Sequence, residues 1–316
     1  MLIRNILAAA PSLCALIGVR TASSSFITMA SDPKKLSQLQ LPQRSHLKLP
    51  KDVVKEKEVL VFGDIHGCFD ELQELLHKRK YSPSTHVVLS VGDMVNKGPK
   101  SLDVLNWFYE NRENGVYTVR GNHDDSMLVT LDKLKEGGND DIVKPSYSYI
   151  NDITTEVHNW ATRLPYTIEI GDLLIVHAGI VPKLDMDQQT PFDMTRMRFV
   201  TDTPEGKYEP LQRFAEGAVQ WATTWPGPQL IVFGHDAKQG LQEEPFALGL
   251  DTGCCYGKRL TCAVFESTNI IGKPKEDWYR LVHVKAHAVY EEPGTKPPKG
   301  SEPTEAETNP NSCPIL

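Results

Sequence analysis

Five short polar blocks follow apolar segments of the chain, and their side chains could together bind metal ions. The blocks are Gly63-Asp64-Ile65-His66-Gly67, Gly92-Asp93, Gly121-Asn122-His123-Asp124, His177-Ala178-Gly179 and Gly234-His235-Asp236. Carboxylate, amide oxygen and imidazole groups are ligands for hard or borderline divalent cations, and neighbouring glycines let the backbone turn tightly. Asp64, His66 and His235 could hold one ion, but two ions need ligands from several blocks. The set therefore predicts a dinuclear metal centre for the hydrolysis of phosphate esters or anhydrides.

The predicted ligands divide between two ions that share one carboxylate. Asp64 and His66 are two residues apart, so both side chains leave an extended strand end on the same side and can bind the first ion. Asp93 is expected to bridge the ions, because a carboxylate has two oxygens with lone pairs to spare. The remaining ligands of the second ion are Asn122, His177 and His235. Two divalent ions about 3.5 to 4 Å apart lower the pKa of a bridging water, so the predicted nucleophile is hydroxide.

Other polar residues near the blocks are predicted to assist the reaction. His123 follows a predicted ligand but is not needed as one, so it is placed to protonate the leaving oxygen as a general acid. Phosphoryl transfer is stabilised largely by positioned positive charge. The candidates that would neutralise the phosphate oxygens are Lys97, Arg196, Arg198 and, as a weaker candidate, Lys258.

Apolar runs and helical spacing predict that the first three blocks stand at the ends of parallel strands. Short runs typical of buried strands occur at residues 59–62, 87–91 and 116–119. Helical spacing after Phe69, and after a capping Ser101, predicts one helix between each pair of strands. Asp64, Asp93 and Asn122 recur at intervals of 29 residues, which is the size of one βαβ unit. We expect them at the carboxyl edge of one sheet, where α/β proteins bind ligands.

The second half of the chain predicts a second sheet that is largely antiparallel. Residues 166–170 and 173–176 are typical of a hairpin that delivers His177, and residues 229–233 deliver His235. Later apolar runs that are expected to extend this second sheet occur at residues 247–250, 260–265 and 279–284. The predicted architecture is two sheets packed face to face with helices outside.

Length and composition indicate a globular enzyme with one sizeable core. The chain has 316 residues, of which 40% are hydrophobic and 24% are charged. The formal net charge is −7, so no basic field indicates specific nucleic-acid binding. An acidic protein can still bind an anionic substrate when divalent ions supply local positive charge. The six cysteines show no Cys-x-x-Cys pair and are interpreted as reduced, small buried hydrophobic residues.

Both ends of the chain carry segments that bear on localisation. Residues 1–31 contain no acidic residue and fit a mitochondrial presequence, a secretory signal, or a leader that translation from Met29 would remove. Residues 32–57 are predicted as a linker or arm, and the catalytic domain is expected over residues 58–287. Residues 288–316 are predicted to be a disordered, acidic and Pro-rich tail. This tail ends in a candidate prenylation box at Cys313.

Either end could give weak membrane association, through the N-terminal segment or through Cys313. The cytoplasm is the preferred compartment, with mitochondrial and secretory or vacuolar locations as alternatives. The sequence leaves the oligomeric state open.

The five blocks resemble those of the calcineurin-like metallophosphoesterases, within the phosphoprotein phosphatase superfamily, over residues 58 to about 266. The resemblance implies an α/β four-layer sandwich of two mixed β-sheets flanked by helices. It also implies two divalent ions drawn from manganese, iron or zinc, and an acid role for His123. The residues that carry the implied ligand roles are Asp64, His66, Asp93, Asn122, His177 and His235.

Three positions depart from the protein serine/threonine phosphatase branch of that superfamily. Asn96 and Lys97 stand where that branch has aspartate and arginine, and Asp124 stands where it has glutamate. An aspartate would orient the acid histidine and stabilise its charged form, whereas Asn96 can accept a hydrogen bond but brings no charge. Lys97 would bind phosphate as a point charge rather than as a planar fork. Asn96 and Asp124 are counted with His123 among the predicted catalytic residues.

Further stretches resemble the ApaH-like phosphatases, eukaryotic relatives of the symmetrical diadenosine tetraphosphatase of bacteria. They include Asn96-Lys97-Gly98-Pro99, Thr195-Arg196-Met197-Arg198-Phe199 and Gly249-Leu250-Asp251-Thr252-Gly253. The resemblance implies a small-molecule phosphoanhydride substrate, namely dinucleoside polyphosphates or inorganic polyphosphate, or else capped RNA. Two alternatives stay open: a serine/threonine phosphoprotein phosphatase, and a non-catalytic module that binds metal and phosphate.

Overall fold

The protein is described by a computed structural model over residues 41–137 and 145–293. The predicted leader 1–31, Cys313 and most of the predicted acidic tail lie outside these described residues. The targeting and lipid-anchor hypotheses therefore stay predictions. Among the helices of the described ranges, none combines the length and the apolar character that crossing a bilayer requires.

The described chain alternates strands and helices at first and then consists mainly of strands. The α-helices are α1 Phe69–Lys78, α2 Ser101–Glu110, α3 Asn122–Lys135, α4 Thr155–Ala161 and α5 Pro191–Arg196. The first strands are β1 His46–Lys48, β2 Glu58–Phe62, β3 His86–Ser90, β4 Val116–Thr118, β5 Thr167–Ile170 and β6 Leu173–Val176. The later strands are β7 Phe199–Asp202, β8 Tyr208–Leu211, β9 Val219–Gln220, β10 Leu230–Phe233, β11 Gln242–Glu243, β12 Ala247–Gly249, β13 Arg259–Phe265 and β14 Arg280–Lys285.

The first sheet contains the predicted parallel strands and has the order β14-β13-β2-β3-β4. Strands β2, β3 and β4 are parallel, and α1 and α2 connect them, so the two predicted βαβ units are present. Ser101 does not cap α2 as predicted, because the helix begins at Ser101 itself. The Ser101 hydroxyl instead accepts a hydrogen bond of 2.8 Å from the backbone N–H of Asn96.

The second sheet has the order β1-β5-β6-β10-β12-β11 and is mixed. Strands β5 and β6 form the predicted antiparallel hairpin, but β10 runs parallel to both of its neighbours, β6 and β12. The expectation of a largely antiparallel sheet is therefore wrong. The physical reason is the long connection from β6 to β10 through α5 and three further strands, which is a crossover of the kind that parallel pairing requires.

Six strands lie where the sequence did not place them. Strands β13 and β14, which were expected in the second sheet, extend the first sheet, because β13 pairs antiparallel with the otherwise open edge of β2. Strand β1 pairs in parallel with β5, so the segment predicted as a linker or arm contributes a strand. A small antiparallel sheet of order β8-β7-β9 follows α5 and was not predicted.

The two large sheets stack face to face, and alternating side chains of their strands divide the interior into separate cores. In β2, Val59 and Val61 belong to the core between the sheets, whereas Leu60 and Phe62 pack under α1, α2 and α3. Phe233 of β10 faces a third core, which α5 and the small sheet cover. Because both faces of each large sheet are covered at its centre, the central strands β2, β3, β6 and β10 are almost entirely apolar. The predicted α/β architecture of two mixed sheets flanked by helices is confirmed.

Substitution of Leu49 tests whether the segment before β2 belongs to the folded unit. Its side chain is 7% exposed in the core between the sheets. We expect Leu49→Ala to lower the free energy of unfolding by about 2 to 3 kcal/mol, because a buried leucine loses its packing and leaves a cavity. Urea denaturation followed by tryptophan fluorescence measures this difference.

The matched control is Leu41→Ala, because the Leu41 side chain is 57% exposed. Its loss should change the free energy of unfolding by less than about 0.5 kcal/mol. Equal values for the two variants would show that the segment is a passive linker.

Candidate metal centre

The six predicted ligands come from both large sheets and meet where their strands end. Asp64 follows β2, and Asp93 follows β3. Asn122 is the first residue of α3, directly after the loop that leaves β4. His177 follows β6, and His235 follows β10 in the second sheet. The carboxyl ends of parallel strands therefore deliver the ligands to one seam between the sheets, as the strand order predicts.

The backbone around this seam is held in an uncommon conformation. Eight non-glycine residues of the described chain have a positive φ, and five of them lie at the seam. These five are His66 (φ 47°), Asp93 (φ 51°), Asn96 (φ 70°), Lys97 (φ 70°) and His235 (φ 71°). Left-handed conformations are unfavourable for such residues and persist where the surrounding structure fixes them, which is common at active sites.

Two glycines leave room that the ligands need. A Cβ atom at Gly121 would lie 2.1 Å from Oδ1 of Asp93, and one at Gly234 would lie 1.9 Å from Oδ1 of Asp64. No side chain fits at these distances, because heavy atoms that are not bonded do not approach so closely. Glycine at both positions is therefore required for the carboxylates to occupy the seam.

The ligand atoms form two clusters that share Asp93. In the first cluster, Nε2 of His66 lies 3.4 Å from Oδ2 of Asp93 and 3.9 Å from Oδ2 of Asp64. In the second, one atom each from Asp93, His177 and His235 lie within 4.8 Å of one another. The separation between Oδ2 of Asp93 and Nε2 of His177 is 3.5 Å. The clusters have the spacing that two cations bridged by the Asp93 carboxylate would need.

Backbone carbonyls fix which nitrogen of each histidine faces the cavity. Nδ1 of His66 lies 3.0 Å from the carbonyl oxygen of Val95, and Nδ1 of His177 lies 2.9 Å from that of Val91. Nε2 of His235 lies 3.2 Å from the carbonyl oxygen of Arg196. In each neutral ring the nitrogen beside the carbonyl must carry the proton, so the other nitrogen presents a lone pair. All three rings are thereby prepared to bind a cation.

The Asn122 amide completes the second cluster. The amide atom that faces the seam lies 3.1 Å from Nε2 of His177 and 2.9 Å from Nδ1 of His235. With its nitrogen turned inward it would donate hydrogen bonds to both rings. With its oxygen turned inward, three lone-pair donors converge on one point, and a cation satisfies all of them. The donor set therefore fits a divalent metal.

The buried carboxylates repel one another, so a cation in the seam is electrostatically favourable. Burial, together with the neighbouring carboxylates of Asp251 and Asp93, raises the pKa of Asp64 well above its usual range. Burial raises the pKa of Asp251 to about 6, although the Lys97 ammonium opposes this shift. Like charges that are held close together in a buried site repel one another, and a divalent cation relieves the repulsion.

Asp124 and Asn96 organise the seam from behind the ligands. The buried Asp124 carboxylate accepts backbone hydrogen bonds from Gly121 and Asp93 at 2.9 Å each and from Met94 at 3.0 Å. It therefore joins the loop after β3 to the start of α3. Asn96 lies beside His123 at 3.2 Å, measured between the Asn96 side-chain nitrogen and Nδ1 of the ring.

The other partners of the Asn96 amide determine the direction of its hydrogen bond with His123. The Tyr149 hydroxyl donates to Oδ1 of Asn96 at 2.8 Å, and the Asn96 side-chain nitrogen also lies 3.4 Å from the His123 carbonyl oxygen. The amide nitrogen must therefore donate, so Nδ1 of His123 accepts and the neutral ring carries its proton on Nε2. In this arrangement Asn96 donates to the ring through its nitrogen, while its oxygen accepts from Tyr149.

The environment of His123 favours its neutral form. Burial, with help from the Lys97 ammonium, lowers the pKa of His123 to about 4, and the nearby Asp93 carboxylate only partly opposes this. The His123 ring meets the His66 ring edge to face at a centroid distance of 4.9 Å. His123 is thus at the cavity beside the first cluster, in a position to donate a hydrogen bond through Nε2.

The four predicted phosphate-binding residues do not occupy equivalent positions. Lys97, Arg198 and Lys258 line a cavity of about 810 Å³ that opens over both clusters. Nζ of Lys97 lies 2.7 Å from Nε2 of His66, and the Arg198 guanidinium donates to the His235 carbonyl oxygen at 3.1 Å. Arg196 is not among the residues that line this cavity, and its guanidinium contacts Thr195 instead. The Arg196 carbonyl, which orients His235, is its contribution to the site.

Four residues in or beside the cavity were given no role from the sequence. Asp251 follows β12 and precedes Gly253, which is the same strand-end pattern as the predicted ligands, so that signal was present. Arg213 and Phe214 follow β8 and reach the cavity through the small sheet. Tyr149 lies in the 3-10 segment Pro145–Asp152. No local pattern marks the last three residues, because only tertiary packing brings them to the seam.

Asp93 and His123 can be separated by their effect on metal binding. We expect Asp93→Asn to weaken metal affinity by at least about 100-fold, which exceeds the roughly 10- to 100-fold loss typical of residues behind the ligands. His123→Asn should keep the metal, because its ring is not needed as a ligand. Isothermal titration with Mn²⁺ and elemental analysis measure both effects.

Asp277→Asn makes the same chemical change at an exposed position and is the matched control. It should bind metal like the unaltered protein. Unchanged metal content in Asp93→Asn would contradict a bridging role for this carboxylate.

Comparison with known proteins agrees with this geometry. A sequence model of the calcineurin-like phosphoesterases matches residues 57–239. Symmetrical bis(5'-nucleosyl)-tetraphosphatases of Salmonella paratyphi C and Salmonella typhimurium are each 30% identical over 268 residues, covering 68% of this chain and 93% of theirs.

Solved structures of other proteins have a similar fold. The crystal structure of a candidate diadenosine tetraphosphatase superposes with a TM-score of 0.63 and 32% identity, covering 77% of this chain and 98% of that chain. A protein serine/threonine phosphatase of Saccharomyces cerevisiae superposes with a TM-score of 0.50 at 16% identity, covering 80% and 86%. This second similarity concerns the fold alone. The chain belongs to the calcineurin-like phosphoesterases, in the branch that resembles the symmetrical bis(5'-nucleosyl)-tetraphosphatases, and it is a metal-dependent phosphohydrolase.

Proposed function

We propose that this enzyme hydrolyses phosphoanhydride bonds of dinucleoside polyphosphates with the help of two divalent ions. The observation that carries the proposal is the cavity of about 810 Å³, where two clusters of metal ligands stand beside an array of cationic side chains. The relatives named as tetraphosphatases support the same substrate class. Inorganic polyphosphate is the second candidate substrate, because its chain carries the same charged groups.

We assign the ions to the two clusters. Asp64, His66 and Asp93 would hold the first ion, and the second would be held by Asp93, Asn122, His177 and His235. Imidazole with carboxylate suits manganese, zinc or iron, and the donor set does not select among them. When bound, such a pair supplies Lewis acidity that activates water and polarises a phosphoryl group.

The side chains around the clusters would orient the substrate and the transferred proton. His123 would donate a hydrogen bond from Nε2 to the leaving oxygen, in the tautomer that Asn96 and Tyr149 impose. Asp124 would keep Asp93 and the start of α3 in place through its three backbone contacts. These residues act on the leaving oxygen and on the position of the metal ligands, and not on substrate binding. Their replacement should therefore change kcat more than KM.

The cationic residues favour a long polyanion over a single phosphate ester. Five of them line the cavity, namely Lys97, Arg198, Arg213, Lys238 and Lys258. A monoester would use only the positive charge nearest the metals, whereas a chain of several phosphates can reach across the array. Positioned positive charge of this kind stabilises phosphoryl transfer.

An aromatic pair at the rim of the cavity fits a nucleoside. The Phe214 side chain is 70% exposed, and it meets Phe199 edge to face with the ring centroids 5.8 Å apart. Both rings line the cavity. An exposed phenylalanine face binds nucleobases by stacking, which is worth about 1 to 3 kcal/mol per base. Inorganic polyphosphate has no group that would use this surface.

A substrate panel tests the proposed reaction. With Mn²⁺, Zn²⁺ or Co²⁺ added, we expect the enzyme to release nucleotide from diadenosine tetraphosphate much faster than it releases phosphate from a phosphoserine peptide. His123→Asn should reduce kcat by about 100- to 1,000-fold, because it removes the hydrogen-bond donor to the leaving oxygen. Chromatography of the nucleotide products measures turnover. Brisk hydrolysis of the peptide without turnover of diadenosine tetraphosphate would instead support a phosphoprotein phosphatase.

Phe214→Ala tests the proposed nucleoside contact. We expect KM for diadenosine tetraphosphate to rise by about 5- to 150-fold, as the loss of about 1 to 3 kcal/mol of stacking requires. Turnover of inorganic tripolyphosphate should not change, because it lacks a base. Val219→Ala removes another exposed apolar side chain, which belongs to β9 and does not line the cavity, and is the matched control. Equal changes for both substrates would argue against stacking.

A further inference from the structure

A second group of potential metal ligands lies buried beside the candidate metal centre and does not belong to it. It consists of Cys68, at the start of α1, Glu71, in the first turn of α1, and Cys254, in the loop after β12. The two sulfur atoms and a carboxylate oxygen lie within 4.8 Å of one another. The exposed fractions of the three residues are 0%, 0% and 2%.

The Glu71 carboxylate has an unused oxygen in this buried place. Its Oε1 accepts hydrogen bonds of 2.8 Å from the backbone N–H of His287 and from the hydroxyl of Tyr290. Its Oε2 is buried and has no hydrogen-bond partner among the described residues. Buried polar atoms are nearly always satisfied, and a buried carboxylate oxygen without a partner is costly. A bound cation is one way to satisfy it.

The three side chains of this group suit a different class of ion than the ligands of the neighbouring centre do. Two thiolates with one carboxylate suit a borderline or soft cation such as Zn²⁺, and they do not suit Mg²⁺ or Ca²⁺. With Zn–S bonds of about 2.3 Å, tetrahedral ligand atoms lie roughly 3.5 to 3.8 Å apart. Because the observed separations do not exceed 4.8 Å, the cluster needs to contract by at most about 1 Å to reach that geometry. The Cys68 thiol makes only long, weak contacts as a donor, such as the one of 3.8 Å to the His66 carbonyl oxygen.

We propose that Cys68, Cys254 and Glu71 form a structural site for one zinc-class divalent cation, with a solvent molecule in the fourth position. The cation replaces two thiol protons, which pass to solvent, so the net charge of the buried cluster does not change on binding. No oxidant or reductant is required. The site is independent of the proposed phosphohydrolase reaction.

The position of the site gives it a structural role. It would join the turn that carries His66 to the loop that carries Asp251 and Tyr256. Glu71 extends the link to the segment after β14 through His287 and Tyr290. Tyr256 in turn packs 5.2 Å below Nζ of Lys97. A cation at the cluster would therefore hold two walls of the cavity at a fixed separation.

Cobalt spectroscopy tests the proposal on the full chain. The protein is produced in minimal medium with Co²⁺ and purified under reducing conditions without chelators. Thiolate bound to Co²⁺ gives an intense charge-transfer band in the near ultraviolet, whereas nitrogen and oxygen ligands do not give it. We expect this band in the unaltered protein and in Asp93→Asn, which removes a ligand of the other centre.

Cys68→Ser and Cys254→Ser should each abolish the band and lower the cobalt content by one equivalent. Cys262→Ser changes another buried cysteine outside the cluster and should keep the band. Absence of the band in the folded, unaltered protein would overturn the proposal, whether or not the serine variants fold. A Cys68–Cys254 disulfide in the non-reduced protein, detected by mass spectrometry, would also overturn it.

Discussion

The structure depends on an electrostatic constraint: several buried carboxylates and imidazole lone pairs converge on one seam, and the single ammonium of Lys97 does not balance them. Asp64, Asp93 and Asp251 are carboxylates with at most 5% of their surface exposed. Three histidines add uncharged nitrogens whose lone pairs point the same way. Such a cluster is stable when cations occupy it, and this requirement accounts for the ligand spacing, the strained backbone and the glycines around it.

The surrounding fold meets this constraint by fixing orientation at every level. Strand ends bring the residues to the seam, left-handed turns aim their side chains, and backbone carbonyls select the ring nitrogens. Asp124 then joins the turn after β3 to the start of α3 through three backbone hydrogen bonds. Because each orientation is set by packed backbone, little reorganisation is left for the moment of reaction.

The sequence predicts the parts of this arrangement that depend on local pattern. The intervals of 29 residues between Asp64, Asp93 and Asn122 reflect βαβ geometry, so the parallel strands and the convergence of their ends could be inferred. The pairing partners of β13 and β14 could not, because an apolar strand fits the edge of either sheet. Tyr149 and Phe214 were missed for a similar reason. Their positions are set by long-range packing, and the direction of the Asn96 hydrogen bond follows from Tyr149.

The neutral contact between Asn96 and His123 has a consequence for the bond that the enzyme can break. Without a carboxylate partner, the buried ring stays neutral, so it offers the leaving oxygen a hydrogen bond from Nε2 and not a full proton. A departing serine alkoxide is strongly basic and needs nearly full protonation, whereas a departing phosphate, with a second pKa of about 6, leaves readily as an anion. The replacement of one charged group by an amide thus biases the active site toward leaving groups of low basicity, and this bias acts before any contact with the rest of the substrate.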